Sequence, residues 1–255
     1  MFASNKALQA EYAAFIEAEA KQTNGAQKIK SILEDAGNLP SSFNSFSNTI
    51  KGVHYRLAIG GVKFSSNGNT ISYLTKTGEV LAKLENGSFS VNKLKPDIQL
   101  PSTYLDAAYI TNHINKFNQE GGAFIIRLRD LSNPNYATIA PRKFIGLKSE
   151  MDAVITKFNK SGKDLNVLVE ELDLGNYFKP GDEVFYVTVE GNKGFVFDIP
   201  NGNEGGAYAG YWVPGGYTKH GTREVVISNA ESFSHNNSLQ TFINIFGTNN
   251  VLKIH

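Results

Sequence analysis

The chain has 255 residues, of which 41% are hydrophobic, 11% aromatic and 19% charged, a globular composition that excludes wholesale disorder. Its formal net charge is +1, without the basic excess usual in proteins that grip a nucleic-acid backbone. The absence of cysteine excludes disulfides, thiolate nucleophiles and cysteine-ligated zinc. Neither a secretory signal peptide at Met1–Phe15 nor a membrane-spanning apolar run is predicted.

The N-terminal part of the chain predicts helices followed by an antiparallel meander. Apolar residues recur at helical spacing in Asn5–Ala20 and Ala26–Ala36, and a connector rich in Ser and Asn follows. From Gly52 to Leu94, short alternating runs are separated by turn signals, which predicts strands paired in chain order. The polar residues of this meander form no chemical cluster, so we expect a structural or docking role there.

A mixed region of helices and strands comes next. Apolar residues recur every three or four positions in Pro101–Phe117, which predicts one helix ended by Gly121-Gly122. Ala123–Leu128 predicts a strand, and a second strand is expected from about Ala137 to Leu147.

Further elements are predicted up to the C terminus. Ser149 with Asp152 three residues later predicts a capping box that opens a helix. Asp164–Leu172 predicts another helix, and two strands joined by a glycine-containing turn are expected at Val184–Val189 and Phe195–Ile199. The last predicted elements are a strand at Arg223–Ser228, a helix at Ser238–Phe246 and a short strand at Val251–Ile254.

These patterns predict an α+β fold with N-terminal helices, an antiparallel meander and a mixed α/β domain of mainly antiparallel strands. The predicted organisation is a helical segment with a linker at 1–50, the meander at 51–98 and the main domain at 99–255.

The segment Asn201–Ile227 is the most unusual part of the sequence. It is rich in glycine and contains Asn203, Glu204, the only tryptophan of the chain, Trp212, and Tyr217. Loops of this length are usually functional, because glycines let the backbone approach a ligand and aromatic rings can stack on a flat one. We therefore predict substrate contacts at these four residues, with an ordered surface loop pinned by Trp212 as the alternative.

Two carboxylates in this segment are candidate catalytic groups. Glu224 precedes the apolar run Val225–Ile227, and a carboxylate at a strand end can act as a general base or stabilise a developing cation. Glu204 has the same two readings, although its glycine neighbours leave its position less fixed. A solvated charge at a strand edge is the alternative for both.

Basic residues offer two anion-binding candidates, Arg127 and the weaker Arg142, and two acid–base candidates. Arg127 interrupts an apolar strand, which favours bidentate binding of a carboxylate or phosphate, with a surface salt bridge as the alternative. His113 borders the apolar stripe of its helix and is more often a packed histidine, whereas His220 lies within the glycine-rich segment. The histidines lack the spacing of a helical metal site, so no metal is predicted.

Three stretches resemble the C-terminal toxin domains of bacterial polymorphic toxins. They are Tyr104–Phe117, the helix start Lys148–Asp152, and the segment from Gly202 to Ile227 with its Trp-Val-Pro-Gly-Gly-Tyr run. The similarity covers about Leu100–Glu231. It implies a toxin or effector that is secreted or injected by a specialised system, has a cognate immunity protein, and acts on a macromolecular target away from membranes.

A second similarity, to mono-ADP-ribosyltransferase toxins, implies a reaction. Those toxins carry an Arg on an early strand, a Ser-Thr-Ser strand followed by a helix, and a Glu-x-Glu or Gln-x-Glu just before an apolar strand. In this sequence Arg127, Ser149 and Glu224 could take these three positions. Ser149 lacks the flanking Ser and Thr, and Thr222 replaces the first acidic or amide residue. The resemblance implies NAD as a co-substrate and no permanently bound cofactor, with Glu224 stabilising an oxocarbenium-like transition state and Arg127 holding the pyrophosphate.

Two other functions stay open at this point. A nuclease toxin would use His113 or His220 as acid and base, and nucleic acid would be a partner only in that case. A binding or delivery module without catalysis would use the aromatic loop as a recognition surface.

Overall fold

The computed structural model describes residues 60–67, 70–85, 88–131, 142–191, 193–207, 212–230 and 239–255, together with Val53, Arg56 and Leu57. The predicted helices at 5–20 and 26–36 lie outside these residues. The chain divides into two compact units, one that ends at Asn112 and includes Val213–Gly215, and one formed by His113–Trp212 and Gly216–His255. The predicted division at 50/51 and 98/99 stays a prediction.

The first unit contains a four-stranded antiparallel sheet in which the strands pair in chain order. This arrangement confirms the predicted meander over the described residues. Ile71, Tyr73, Leu81 and Leu84 are buried in its core. The four strands are β1 (Lys63–Asn67), β2 (Thr70–Leu74), β3 (Val80–Glu85) and β4 (Ser88–Val91).

The helix predicted at Pro101–Phe117 is two helices. A 3-10 turn at Pro96–Gln99 leads into α1 (Pro101–Tyr104), and α2 (Ala107–Glu120) begins after a break. Leu105 is fully buried in an extended conformation, and Asp106 N donates to Gly60 O at 2.8 Å. The apolar period continues through this break, so periodicity alone could not reveal it.

The second unit contains a six-stranded sheet in the order β10-β7-β5-β6-β9-β8. Every strand pair is antiparallel, which confirms the predicted α+β class with antiparallel strands. Its strands are β5 (Gly122–Arg127), β6 (Lys143–Leu147), β7 (Val184–Val189), β8 (Phe197–Asp198), β9 (Glu224–Ile227) and β10 (Val251–Lys253). Its helices are α3 (Leu128–Leu131), α4 (Lys148–Lys160), α5 (Leu165–Glu171) and α6 (Leu239–Phe246).

The two faces of this sheet carry different cores. On one face, Phe124 and Val225 pack with Phe117 of α2 and with Phe242 and Phe246 of α6. The opposite face, which we call the α4 face, buries strand residues against α4 and α5, and its core is Ala123, Ile125, Met151, Val154, Phe158, Leu168, Val184 and Tyr186. Glu224 and Arg127 alternate with the residues of the first core and so lie on the α4 face.

The two predicted strands at Val184–Val189 and Phe195–Ile199 are not neighbours. The first is β7, and the second is reduced to the two-residue β8, which pairs with β9 at the far edge of the sheet. The apolar side chains of Phe195 and Phe197 are buried in the first core. With these two side chains buried, the chain pairs with β9 at the far edge of the sheet and not with β7.

No helix within the described ranges has both the length and the apolar character needed to cross a membrane.

Candidate active site

The main candidate residue, Glu224, lies at the end of a tight hairpin, Gly216–Glu224. Tyr217 and Arg223 form an isolated antiparallel bridge, and Glu224 N donates to Gly216 O at 2.9 Å. Glu224 then begins β9 opposite Gly146 of β6. The backbone of Glu224 is therefore fixed by the hairpin on one side and by the sheet on the other.

Glu224 is partly exposed, and its carboxyl group makes no hydrogen bond or ion pair with the described residues. Desolvation raises the pKa of Glu224 to about 8, and repulsion from the carboxylates of Asp173 and Glu204 adds to this effect. The side chain is therefore a partly exposed acid that is largely protonated at neutral pH and has two negative charges nearby.

The neighbouring Arg223 braces the hairpin against α4. Its Nη1 donates to Glu150 Oε1 at 2.7 Å and its backbone N donates to Glu150 Oε2 at 2.5 Å. Its Nε donates to the hydroxyl of Tyr217 at 2.8 Å. Tyr217 is thus buried as part of the support of the hairpin, and its role in substrate binding stays a prediction.

His113 supports the same hairpin from α2. Its Nε2 donates to Glu224 O at 3.0 Å, which fixes the tautomer because a carbonyl oxygen only accepts. A side chain on Gly216, which has a φ of 78°, would place Cβ 2.8 Å from this nitrogen. Burial lowers the pKa of His113 to about 4, so the imidazole is neutral at pH 7. These contacts favour the packed histidine over the acid–base alternative.

We expect His113 to contribute to acid sensitivity. The unfolded imidazole binds a proton below about pH 6.5, whereas the folded one stays neutral until about pH 4, so the free energy of unfolding falls as the pH drops through this window. His113→Gln keeps a donor for Glu224 O but cannot titrate. Its free energy of unfolding should fall by about 2 kcal/mol less than that of the wild type between pH 7 and 5.

Denaturant titrations at the two pH values measure this difference, with His255→Gln as the control at an exposed histidine. Equal losses in the wild type and in His113→Gln would contradict the assigned neutral state.

Glu204 is the second carboxylate of the segment, and its side chain is 0% exposed. Its two oxygens accept from Asn201 N at 2.8 Å and from Gly202 N at 2.7 Å, and Arg142 Nε donates to it at 3.1 Å. Glu204 therefore closes its own turn, and its carboxylate oxygens are occupied by these hydrogen bonds. Its negative charge still acts on Glu224.

The other two predicted substrate contacts occupy contrasting positions. Trp212 is buried with its ring against Gly202, where an added Cβ would lie 2.6 Å from the ring. Asn203 is exposed, and its backbone N donates to Asn201 Oδ1 at 3.0 Å. Trp212 thus has the contacts expected of a residue that pins the loop, and the substrate roles of both stay predictions.

The tip of the hairpin carries a histidine–carboxylate pair. The exposed His220 donates from Nδ1 to Asp173 Oδ1 at 3.1 Å. Asp173 Oδ2 accepts from Lys219 N at 2.7 Å, and the backbone of Asp173 has a φ of 54°. The same carboxylate raises the pKa of Glu224 by repulsion. Asp173 therefore binds His220 by a hydrogen bond and acts on Glu224 through its negative charge.

Arg127 lies in a separate cluster. Its Nε and Nη2 donate to both oxygens of Asp130 at 2.8 and 2.7 Å, its Nη1 donates to Tyr177 O, and its guanidinium stacks 3.9 Å from the ring of Tyr177. Burial alone would raise the pKa of Asp130, but hydrogen bonds from Arg127 and from the Tyr177 hydroxyl outweigh it and lower that pKa. Arg127 thus forms a bidentate pair within the protein.

The structure does not bring Arg127 and Glu224 together. Gly146 pairs with Glu224 on one side and with Ala123 on the other, and Arg127 lies four residues further along β5. The two residues share the α4 face but are about 13 Å apart along the strands and about 10 Å apart across them. The anion-binding role of Arg127 stays a prediction.

Arg127→Lys should separate a structural role from a catalytic one. A lysine cannot form the bidentate pair with Asp130, so we expect a loss of about 1–2 kcal/mol in the free energy of unfolding. Any NAD consumption by the chain should stay within about threefold of the wild type, because Arg127 lies away from Glu224 and its guanidinium is already paired with Asp130. Strongly impaired NAD consumption in a stably folded variant would instead support the pyrophosphate role.

Ser149 also has a partner away from Glu224. Its hydroxyl donates to Glu120 Oε2 at 2.7 Å, and this hydrogen bond is the main reason why the pKa of Glu120 lies below its usual value. The predicted capping box at Ser149 is wrong, because α4 begins at Lys148 and its N-cap is Leu147, without a side-chain cap. The role of Ser149 in NAD cleavage stays a prediction.

Within the described ranges, no three or more His, Asp or Glu side chains are grouped so that they could hold a metal ion. Comparisons of the chain with protein-family models, with curated proteins and with solved structures found no match.

Sequence reasoning did not single out Asp173 or Glu150. Asp173 follows α5 by two residues, and only an aspartate at positive φ after a helix would have drawn notice, a weak signal. Glu150 lies 73 residues from Arg223, its partner in the fold. Nothing in the local sequence indicates that Asp173 pairs with His220 or that Glu150 pairs with Arg223.

Proposed function

We propose that the chain is a toxin or effector that consumes NAD, and that Glu224 stabilises the positive charge that develops on the ribose as the N-glycosidic bond breaks. The observation that carries the proposal is the partly exposed Glu224, whose carboxyl group has no cationic partner among the described residues. A carboxylate beneath an oxocarbenium-like transition state is a recurrent solution for glycosidic bonds.

The local charge favours this chemistry over phosphate chemistry. Desolvation raises the pKa of Glu224, and repulsion from the carboxylates of Asp173 and Glu204 raises it further. A phosphodiester would add to this repulsion, whereas a cationic ring such as nicotinamide in NAD would relieve it. Binding of such a ring lowers the pKa of Glu224, so the substrate itself would ionise the catalytic group.

The toxin setting belongs to the same proposal and derives from the resemblance of the sequence to polymorphic toxin domains. In that setting the chain would be secreted or injected, and a cognate immunity protein would block the surface around Glu224. A macromolecule could receive the ADP-ribosyl group, or water could take its place.

Incubation of the whole chain with NAD tests the proposal. Nicotinamide release is expected, measured by chromatography, and it should depend on the chain concentration. Intact NAD after prolonged incubation with a folded chain would overturn the proposal.

A nuclease is the second candidate function, because His220 is exposed and hydrogen-bonded to Asp173 through Nδ1. Such an oriented imidazole suits acid–base cleavage of RNA or DNA. The two functions are distinguished by incubating the chain with NAD and with RNA or DNA in parallel. Degraded nucleic acid beside intact NAD would favour the nuclease.

A further inference from the structure

We propose that His220, oriented by Asp173, is the general base that activates water, so that this site hydrolyses NAD to ADP-ribose and nicotinamide. The inference rests on the proposed function and specifies its acceptor. It assigns a second catalytic residue, His220, and a positioning residue, Asp173.

The first support is the geometry of the pair. Asp173 Oδ1 accepts from His220 Nδ1 at 3.1 Å, which fixes the tautomer in which Nε2 carries the lone pair. His220 is exposed, and Nε2 has no hydrogen bond with the described residues. Asp173 is held in turn by Lys219 N at 2.7 Å. A carboxylate that orients an imidazole in this way is how many hydrolases set up a base.

The second support is the position of the pair relative to Glu224. His220 lies at the tip of the hairpin that has Glu224 at its base, four residues earlier in the chain, which is at most about 13 Å along an extended strand. Thr222 lies between them, and its side chain approaches Gly146 on the α4 face, the face of Glu224. The arm of the hairpin that joins His220 to Glu224 therefore presents Thr222 on the α4 face, the face on which a ribose would bind at Glu224.

The reaction balances with water as the only added reactant. The bond between ribose C1′ and nicotinamide N1 breaks, and its electron pair goes to the ring nitrogen, which leaves neutral. The water oxygen bonds to C1′ as Nε2 of His220 takes one proton and later releases it to solvent. Glu224 stabilises the first step and His220 assists the second, so the two residues should be separable by experiment.

Nicotinamide exchange isolates the first step, because labelled nicotinamide enters NAD only if the glycosidic bond breaks and reforms. In His220→Asn, formation of ADP-ribose should fall about 100-fold while exchange stays within about threefold of the wild type. Asp173→Asn should reduce ADP-ribose formation about 10-fold, because the imidazole loses its orientation. His255→Asn, an exposed histidine bonded to Asp182 O, serves as the matched control with wild-type rates.

Each outcome has a defined meaning. Wild-type ADP-ribose formation in His220→Asn overturns the role of His220 and leaves the proposed function intact. Equal loss of exchange and hydrolysis in a folded His220→Asn variant also overturns it, because His220 would then act on bond cleavage. A wild-type chain that shows neither reaction overturns the proposed function itself.

Discussion

Glu224→Gln is expected to lower nicotinamide release from NAD by about 10³-fold and, at the same time, to stabilise the protein at alkaline pH. The loss of activity follows because an amide cannot neutralise a developing cation. The gain in stability follows because the variant lacks the carboxyl group that desolvation keeps protonated up to about pH 8. Few substitutions would change activity and stability in these opposite directions.

The pH window of the stability effect follows from the two pKa values. The unfolded carboxyl group ionises near 4.5, whereas the folded one ionises near 8, so the free energy of unfolding falls as the pH rises between them. At pH 8 we expect Glu224→Gln to be more stable than the wild type by about 2 kcal/mol, reduced from the full shift because the side chain is partly exposed. At pH 4 the difference should vanish.

Urea titrations at pH 4 and 8, combined with the nicotinamide assay, measure both effects. Glu190→Gln, at an exposed carboxylate outside the site, is the matched control for the loss of one charge. A Gln variant with wild-type activity would remove Glu224 from the mechanism. A variant no more stable at pH 8 than at pH 4, relative to the wild type, would refute the raised pKa.

Glu204→Ala is expected to destabilise the protein strongly, by about 3 kcal/mol. The substitution removes the acceptor of two backbone N–H groups, at Asn201 and Gly202, and leaves Arg142 without a buried partner. It also removes one of the charges that raise the pKa of Glu224. Any activity that remains should therefore shift its pH dependence to lower pH.

A double-mutant cycle with Arg142→Ala separates the two parts of this loss. The ion pair should account for part of the destabilisation, and the backbone contacts should account for the rest, so Glu204→Ala should cost more than Arg142→Ala. Equal losses from the two single variants would show that the ion pair alone matters. A change below about 0.5 kcal/mol would contradict the closed-turn role of Glu204.

The sequence predicted those elements that depend on local pattern. Alternation of apolar and polar residues predicts the meander and β5, and the apolar run after Glu224 predicts β9. The local pattern does not indicate which distant strands pair, so it does not show that the two-residue β8 lies beside β9 at the far edge of the sheet. The break at Leu105 was also missed, because a buried residue in an extended turn keeps the apolar period of a helix.

For the candidate site, the sequence drew attention to Glu224 and His220 because both lie in one unusual segment. It could not indicate how the surroundings act on them. Burial in the fold desolvates Glu224, and part of the repulsion comes from Asp173, which lies 51 positions earlier in the chain. Arg127 was chosen because it interrupts an apolar strand, and the same feature is explained by its pair with Asp130 three residues later.

The lengths of the outermost strands of the six-stranded sheet have a consequence for behaviour in concentrated solution. The edges are β8, with two residues, and β10, with three, and each leaves few unpaired N–H and C=O groups for a second chain. The long apolar strands β5 and β7 are both paired on two sides. Edge-to-edge aggregation through this sheet is thereby hindered, and an insertion that lengthened β8 into a flat, apolar edge would remove this protection.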